Sequence, residues 1–486
     1  GNFAMNSAPP KENGNHGLTE AWQAYFHKAA FEHPAHPQAR DFLERDLRET
    51  LKRFIPNDAS VLDVECGTGD LLAALPNRER VGVASLPDVA SEARRRHADI
   101  TIEAGDIEDL AQGRSFDAVI CNRLCHSVVD IRNLLVKLRE RVSENGRLYL
   151  VTYNYLWELP TRVAEVAGFK LPAPTSNWLS HSDFENLFKI AGLESVRFED
   201  RMILPADVPG VSTLFNRYLG KLPGCERFSM YRIYALRRKA VLPEPRPASV
   251  SIIVPSRNEA GNVAAAIART PMLGSRTELI FVEGGSTDGT WDTIGAAIKN
   301  YHGPLQLSAY QQQGKGKADA VRLGFSKATG DILMILDADL TVPPEDLPVF
   351  YDVIARGLGD YVQGTRLVYP MDPGAMRFFN KLGNIAFSQL FTYLLGQPIK
   401  DTLCGTKVLW RRDYERIAAG RDFFGDFDPF GDFDLIFGAA RLNLKIVEIP
   451  VRYRERVYGE TNISRWKHGW LLLKMSGVAA RKLRYV

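Results

Sequence analysis

Gly330-Asp331-Ile332-Leu333-Met334-Ile335-Leu336-Asp337-Ala338-Asp339 is an apolar run of strand length that ends in two carboxylates one residue apart. Alternate residues of an extended chain share a face, so Asp337 and Asp339 would repel each other unless a cation meets them. Magnesium or manganese bridging a diphosphate resolves the conflict: hard oxygens hold the ion, and the ion neutralises charge on a departing nucleotide. The alternative is a solvated carboxylate pair at a strand-to-turn junction. The neighbouring sequence decides between them.

Upstream, Val250-Ser251-Ile252-Ile253-Val254-Pro255 reads as a buried strand that runs into Ser256-Arg257-Asn258-Glu259-Ala260-Gly261-Asn262 and an Ala-rich helix. A second strand, Leu279-Ile280-Phe281-Val282, runs into Glu283-Gly284-Gly285-Ser286-Thr287-Asp288-Gly289-Thr290. Both deliver polar loops at their carboxyl ends, where open α/β sheets bind ligands. Later come Gln313-Gly314-Lys315-Gly316-Lys317-Ala318-Asp319, Gly364-Thr365-Arg366, Asp401-Thr402-Leu403-Cys404-Gly405-Thr406-Lys407, Phe430-Gly431-Asp432-Phe433-Asp434-Leu435 and Arg456-Val457-Tyr458-Gly459-Glu460-Thr461-Asn462.

With these segments the chain from Ser249 to about Lys474 resembles the family 2 glycosyltransferases of the GT-A fold, and among them the dolichyl-phosphate mannose and polyprenyl-phosphate sugar synthase branch. The resemblance implies that Pro255, Glu259 and Glu283 contact the nucleoside, and that Asp337 and Asp339 handle Mg2+ or Mn2+ and the diphosphate. Glu283-Gly284 stands where the family usually has two aspartates, so a longer carboxylate has to reach the base. Lys315 is a phosphate contact on this reading and an exposed loop lysine on the plainer one. Arg366 matches an arginine near the donor or acceptor phosphate, and Arg456 belongs to a late basic loop over the diphosphate, in which Asn462 replaces the common lysine. Asp434 lies beside the attacking group. It would be the base for a hydroxyl acceptor and an orienting group for a phosphate, which needs no deprotonation. The implied reaction moves a sugar from a nucleotide-diphospho-sugar, with inversion, to a lipid-phosphate or saccharide acceptor.

The first half has its own strand and glycine turn: Val61-Leu62-Asp63-Val64, then Glu65-Cys66-Gly67-Thr68-Gly69-Asp70 and the helical run Leu71-Leu72-Ala73-Ala74-Leu75. Backbone brought close to a ligand in this way suits a nucleotide-like cofactor. Further strands follow at Arg80-Val81-Gly82-Val83, Phe116-Asp117-Ala118-Val119-Ile120-Cys121-Asn122 and Gly146-Arg147-Leu148-Tyr149-Leu150-Val151. Over residues 40 to 155 this order resembles the class I S-adenosylmethionine-dependent methyltransferases. The resemblance places Gly67 and Gly69 at the methionine part of S-adenosyl-L-methionine and Asp106 at the adenine amine, with Asp63 also among the cofactor-binding residues. Two positions depart from the family: Glu65 replaces the first glycine, and Val83-Ala84-Ser85 lacks the acidic residue that holds the ribose hydroxyls. That loss alone removes about 1.5 to 3 kcal/mol, or one to two decades of affinity. His126 is the candidate base, against the commoner structural role of a lone His after a strand. Tyr153, Tyr155, Trp157 and Trp178 line an acceptor pocket on one reading and belong to a helical cap on the other.

A chain of 486 residues exceeds one hydrophobic core. The expected fold is α/β: a Rossmann-like class I methyltransferase domain over 18–239, then a GT-A domain over 249–465. Between them Val241-Leu242-Pro243-Glu244-Pro245-Arg246-Pro247 reads as a linker covering 240–248, because proline fixes φ and removes donors. Residues 1–17 read as a tag remnant with a disordered stretch, and 466–486 as a basic amphipathic segment.

A net charge of +3 spread over this length excludes nucleic-acid binding by bulk electrostatics. Five scattered cysteines, with Cys121 and Cys125 lacking a second pair, suit a reducing compartment better than disulfides or zinc. No run of eighteen apolar residues occurs, so a cytoplasmic location is expected. Phe378 to Gln397 and Trp466 to Val486 leave two readings open, a peripheral contact on the inner membrane face or ordinary domain packing. For the front half, an active methyltransferase and a catalytically inactive binding module both stand.

Overall fold

The computed structural model describes residues 19–105, 113–239, 242–366, 378–402, 404–423, 432–451, 458 and 473–485, and for 378–385 and 432 the backbone alone. Asp106, Arg456, Asn462, Phe430, Gly431, Leu403 and the stretches 1–17 and 466–472 lie outside the described residues. The chain divides into two compact units, Gly1–Lys239 and Ala240–Val486.

The first unit is built on β1 (Val61–Val64), β2 (Arg80–Ala84), β3 (Thr101–Ala104), β4 (Phe116–Asn122), β5 (Val142–Tyr153), β6 (Leu193–Arg201) and β7 (Tyr231–Arg238). Their order in the sheet is β3-β2-β1-β4-β5-β7-β6, parallel from β3 to β5, with β7 antiparallel to both of its neighbours. All four residues of β1 are buried, since a central parallel strand is covered on both faces. Leu62 and Val64 pack with Trp22, Leu134 and Phe184 on one side, and Val61 packs with Leu47, Leu51 and Phe54 on the other. The chain leaves β1 towards β2 and β3, then returns to β4 on the opposite side. That switch opens a crevice above the carboxyl ends of β1 and β4.

At the far edge of this sheet buried charges are paired, as burial requires. Glu199 accepts from Lys221 Nζ at 2.7 Å and from Arg201 at 3.2 Å, and Asp46 accepts a second Arg201 nitrogen and the Tyr231 hydroxyl. The network fastens the helix Gln38–Phe54 to β6 and β7.

The second unit contains β8 (Ser249–Ser256), β9 (Arg276–Glu283), β10 (Gln306–Gln311), β11 (Ile332–Ile335), β12 (Tyr361–Thr365), β13 (Lys407–Trp410) and β14 (Ile446–Pro450). They lie in the order β10-β9-β8-β11-β13-β12-β14, and only β13 runs against its neighbours. Consecutive strand residues serve opposite layers: Ile253, Leu333 and Ile335 in one, Ile252, Val254, Ile332 and Met334 in the other. Here the switch falls between β8 and β11. The polar loops after these two strands therefore face the same crevice.

From Leu242 on, the Pro-rich stretch is a strap on the second unit. Its Leu242 and Arg246 N–H groups donate to the carbonyls of Arg356 and Ala355 at 3.0 and 3.1 Å, and Tyr351 donates its hydroxyl to the Arg246 carbonyl at 2.7 Å. Prolines supply the extended shape, and the residues between them supply the donors. In the helix Phe378–Leu395 the described apolar side chains are core: Phe391 packs on Phe433 and Phe437 at ring separations of 5.4 and 5.5 Å. Met475, Val478 and Ala479 join the same cluster. Domain packing thus accounts for the described part of both amphipathic stretches. Among the described residues no helix is long and apolar enough to cross a membrane.

Candidate functional site

In the second unit Asp337 and Asp339 follow β11 at the switch point. Ile335 pairs with Ile253, and Leu336 N–H donates to the Ile253 carbonyl at 2.9 Å, so the chain leaves the sheet with Asp337 at its rim. Lys317 Nζ lies 2.7 Å from Asp337 Oδ1. Burial pushes this carboxyl towards a higher pKa, yet Lys317, with Lys407 and Arg366 behind it, outweighs burial and holds it below the usual carboxylate range. Lys407 is fully buried at the start of β13, beside Gln363. Gly405 passes so near that a side chain there would overlap the Asp337 carboxylate. Asp339 Oδ1 accepts from Thr341 N–H at 3.1 Å and from the Thr341 hydroxyl at 2.8 Å, a local turn that fixes the second carboxylate.

Two carboxylates at this rim are a partial set of hard oxygen donors. Among the described residues no cluster of three or more His, Cys, Asp or Glu side chains gathers to hold an ion by itself. The arrangement fits a magnesium or manganese ion whose shell is completed by diphosphate oxygens and water. Lys315, read from sequence as the phosphate contact, is exposed in its loop; the lysine that meets the strand carboxylate is Lys317, two positions on.

Pro255 and Ser256 pair with Val282 and Glu283 across β8 and β9. Glu283 is buried and accepts from Ser286 N–H at 2.5 Å and from Gln311 Nε2 at 3.4 Å. Glu259 accepts from Asn262 Nδ2 at 2.7 Å, while its N–H donates to Thr290 Oγ1 at 3.0 Å. Tyr458 donates its hydroxyl to Asp288 Oδ2 at 3.2 Å and lays its ring on Gly261, where a Cβ would come within 2.6 Å of it. This one described residue of the late loop rests on the loops that follow β8 and β9.

At the carboxyl end of β12, Arg366 forms a fork with Asp401: Nε to Oδ2 at 2.7 Å and a terminal nitrogen to Oδ1 at 2.9 Å. Asp401 is fully buried and its N–H donates to Glu448 at 3.1 Å, so the pair anchors the loop that carries Gly405. Asp434 lies on the helix Asp432–Arg441. Its Oδ2 accepts from Arg421 at 2.7 Å and from Arg322 at 3.4 Å. Arg322 belongs to the helix Lys317–Lys327, about 7.5 Å along its axis from Lys317. Neither arginine was recognisable from sequence, because each reaches Asp434 only through the tertiary fold.

In the first unit Gly67 and Gly69 hold φ of 55° and 79°, which the turn after β1 needs and which glycine adopts without strain. Asp63, on β1, is 1 % exposed, and among the described residues its Oδ1 has no hydrogen-bond partner. Burial first, then the charges of Glu65 and Glu44, pushes its carboxyl up to about 8. A buried carboxyl of this kind suits a hydrogen bond with a ligand ammonium or hydroxyl, and S-adenosylmethionine carries both groups. Ala84 ends β2 and is buried.

His126 proves structural. Its Nδ1 lies 2.6 Å from the Asn177 carbonyl and its Nε2 accepts Tyr153 N–H at 2.9 Å, which fixes one neutral tautomer. Burial lowers its pKa to about 4. The aromatics around it form a packed cap: Trp178 is 5.5 Å from the His126 ring, and Trp157 Nε1 donates to the Phe228 carbonyl at 2.9 Å. Arg123, in the crevice after β4, donates to Glu44, to the Tyr153 hydroxyl and to Asn122.

Residues 37–197 match the profile "Methyltransferase domain" and residues 251–417 match "Glycosyl transferase family 2", so each α/β unit is similar to a different family of transferases. Glycosyltransferase AglJ of Haloferax volcanii is 28% identical over 230 residues, which are 47% of this chain and 71% of that protein. Dolichol-phosphate mannosyltransferase of Pyrococcus furiosus is 26% identical over 254 residues, 49% of this chain and 67% of that protein. A crystal structure of a SAM-dependent methyltransferase from Thermotoga maritima, described as a possible histamine N-methyltransferase, aligns at 15% identity with a TM-score of 0.33. The alignment covers 41% of this chain and 91% of that one.

Proposed function

We propose that the second domain transfers a sugar, with inversion, from a nucleotide-diphospho-sugar to a lipid phosphate, and that the first domain binds S-adenosylmethionine. The observation that carries the first half is the pair Asp337 and Asp339 at the switch point, one fixed by Lys317 and the other by Thr341. A magnesium or manganese ion held there would neutralise charge on the departing nucleoside diphosphate. Lys317 orients Asp337 and adds a positive charge beside the diphosphate. The loops bearing Glu259 and Glu283 offer the wall for the nucleoside. Asp434 is held by Arg421 and Arg322, so it is ion-paired and placed to orient an anionic acceptor, which needs no base. The relative from Pyrococcus furiosus, named for dolichol phosphate, supports the same acceptor class.

A panel of nucleotide sugars, with polyprenyl phosphate and with or without manganese, tests this reading. Metal-dependent transfer from one donor is the expected outcome; no transfer or donor hydrolysis with any of them would sink it. For the first domain, calorimetric titration with S-adenosylmethionine is the test. Ala84 at the end of β2 favours a second reading, in which that domain is a catalytically inactive module.

A further inference from the structure

The turn after β1 holds a side chain where glycine is usual. Glu65 has φ of 57°, a left-handed conformation that a residue with a Cβ adopts only when its surroundings hold it there. β1 and β2 are parallel neighbours in the register Val64 to Val83, and Cys66 N–H donates to the Val83 carbonyl at 3.0 Å. Residue 65 therefore stands beside the end of β2. Its side chain crosses the gap: Ser85 N–H points at the two Glu65 carboxylate oxygens, 3.2 and 3.3 Å away. The carboxylate lies at the carboxyl end of the second strand, which is where nucleoside-binding sheets place the acid that accepts ribose hydroxyls.

The chain lacks that acid on β2 itself, because the strand ends in Ala84. We infer that Glu65 supplies from β1 the carboxylate missing from β2, and that it accepts the vicinal hydroxyls of an adenosyl cofactor. The inference rests on the reading of the first domain as a binder of S-adenosylmethionine. The Ser85 N–H fixes the carboxylate at this edge of the crevice. Ser85 Oγ, in a residue only 6% exposed, has no hydrogen-bond partner among the described residues and offers another polar contact beside it. Space is present too, since a Cβ on Gly67 would meet nothing within 4 Å. Asp63 Oδ1, likewise orphaned, serves the other end of the same ligand. The longer side chain of glutamate spans the distance that a residue on β2 would not have to cross.

Calorimetry on the full chain tests the inference with two probes, S-adenosylhomocysteine and its 2′-deoxy analogue. The wild-type chain should bind the first at least ~10-fold more tightly than the second. Glu65→Gln should weaken S-adenosylhomocysteine by roughly 10- to 100-fold and bind the two probes about equally. The double variant Glu65→Gly with Ala84→Glu returns the acid to β2 and should restore the preference; glycine at position 65 also removes the backbone strain, so this variant is expected to fold. If the wild-type chain binds both probes and Glu65→Gln leaves affinity and preference unchanged, the inference is overturned while the cofactor reading stands. If only Glu65→Gly binds, Glu65 closes the site, which also overturns the inference and keeps the cofactor reading. Binding by none of the chains removes both.

Discussion

Lys317 Nζ and Asp337 Oδ1 are 2.7 Å apart, joining the first residue of a helix to the rim of β11. Asp337 is ionised because of this lysine, in spite of its burial. Its depressed pKa stabilises the fold at pH values above the unfolded carboxylate pKa, and the contribution is lost as pH falls through the folded value. Lys317→Ala removes the largest opposing charge, so burial then raises the pKa. Donor binding, followed across an acid titration, should fail at a higher pH in the variant than in the wild-type chain. An unchanged acid limb would show that Lys317 does not govern this carboxylate.

Asp339→Asn keeps the shape and the Thr341 contacts to one oxygen, while removing the charge that a divalent ion needs. Turnover should fall by at least ~100-fold, with the manganese dependence lost as well. Near wild-type activity in this variant would defeat the metal assignment.

Arg421 supplies the shorter of the two guanidinium contacts to Asp434, at 2.7 Å. With a lipid-phosphate acceptor, Arg421→Ala should raise the apparent KM for that acceptor about 10-fold or more and leave the donor KM close to its original value. A hydroxyl acceptor deprotonated by Asp434 predicts another pattern, a loss confined to kcat. The split between the two constants separates the mechanisms.

His126 is neutral in the folded chain, with a pKa lowered to about 4 from an ordinary 6.5. The unfolded state binds the proton first, so stability of the first domain rises with pH between these values and is lost below them. The full effect is about 3 kcal/mol, reached once the pH is under the folded pKa. Urea unfolding followed by the fluorescence of Trp178, 5.5 Å from the imidazole, should shift to lower urea between pH 7 and pH 5. His126→Gln should flatten that dependence; an equal slope in the variant would assign it to other groups.

Much of the architecture was legible because central strands are mostly apolar runs. Val61–Val64, Phe116–Asn122, Ser249–Ser256 and Ile332–Ile335 all lie where their residues indicate. The pair Asp337 and Asp339 reads from sequence as the end of a strand, whereas β11 stops at Ile335 and the two acids lie in the turn that follows it. Contacts that depend on register or on distant chain were not legible. Lys315 lies in the loop and Lys317 opens the helix after the turn at Gly316, with φ of 88°, a boundary that sequence alone leaves open. Arg322 precedes its partner Asp434 by 112 residues, so no local pattern joins them. His126 admitted two roles in sequence, and the difference lay in whether both ring nitrogens were already used by backbone groups.

β13 is laid backwards into an otherwise parallel sheet. Its first residue, Lys407, therefore comes to the rim that the other strands reach with their last, and the connection before it, with Gly405, arrives from the opposite direction. The turn that carries Gly405 thereby closes on Asp337 from a strand of opposite sense. A connection of another length over residues 396–402 would take away Asp401, and with it both the fork to Arg366 and the seat of Gly405, so the two halves of this rim keep their shape only together.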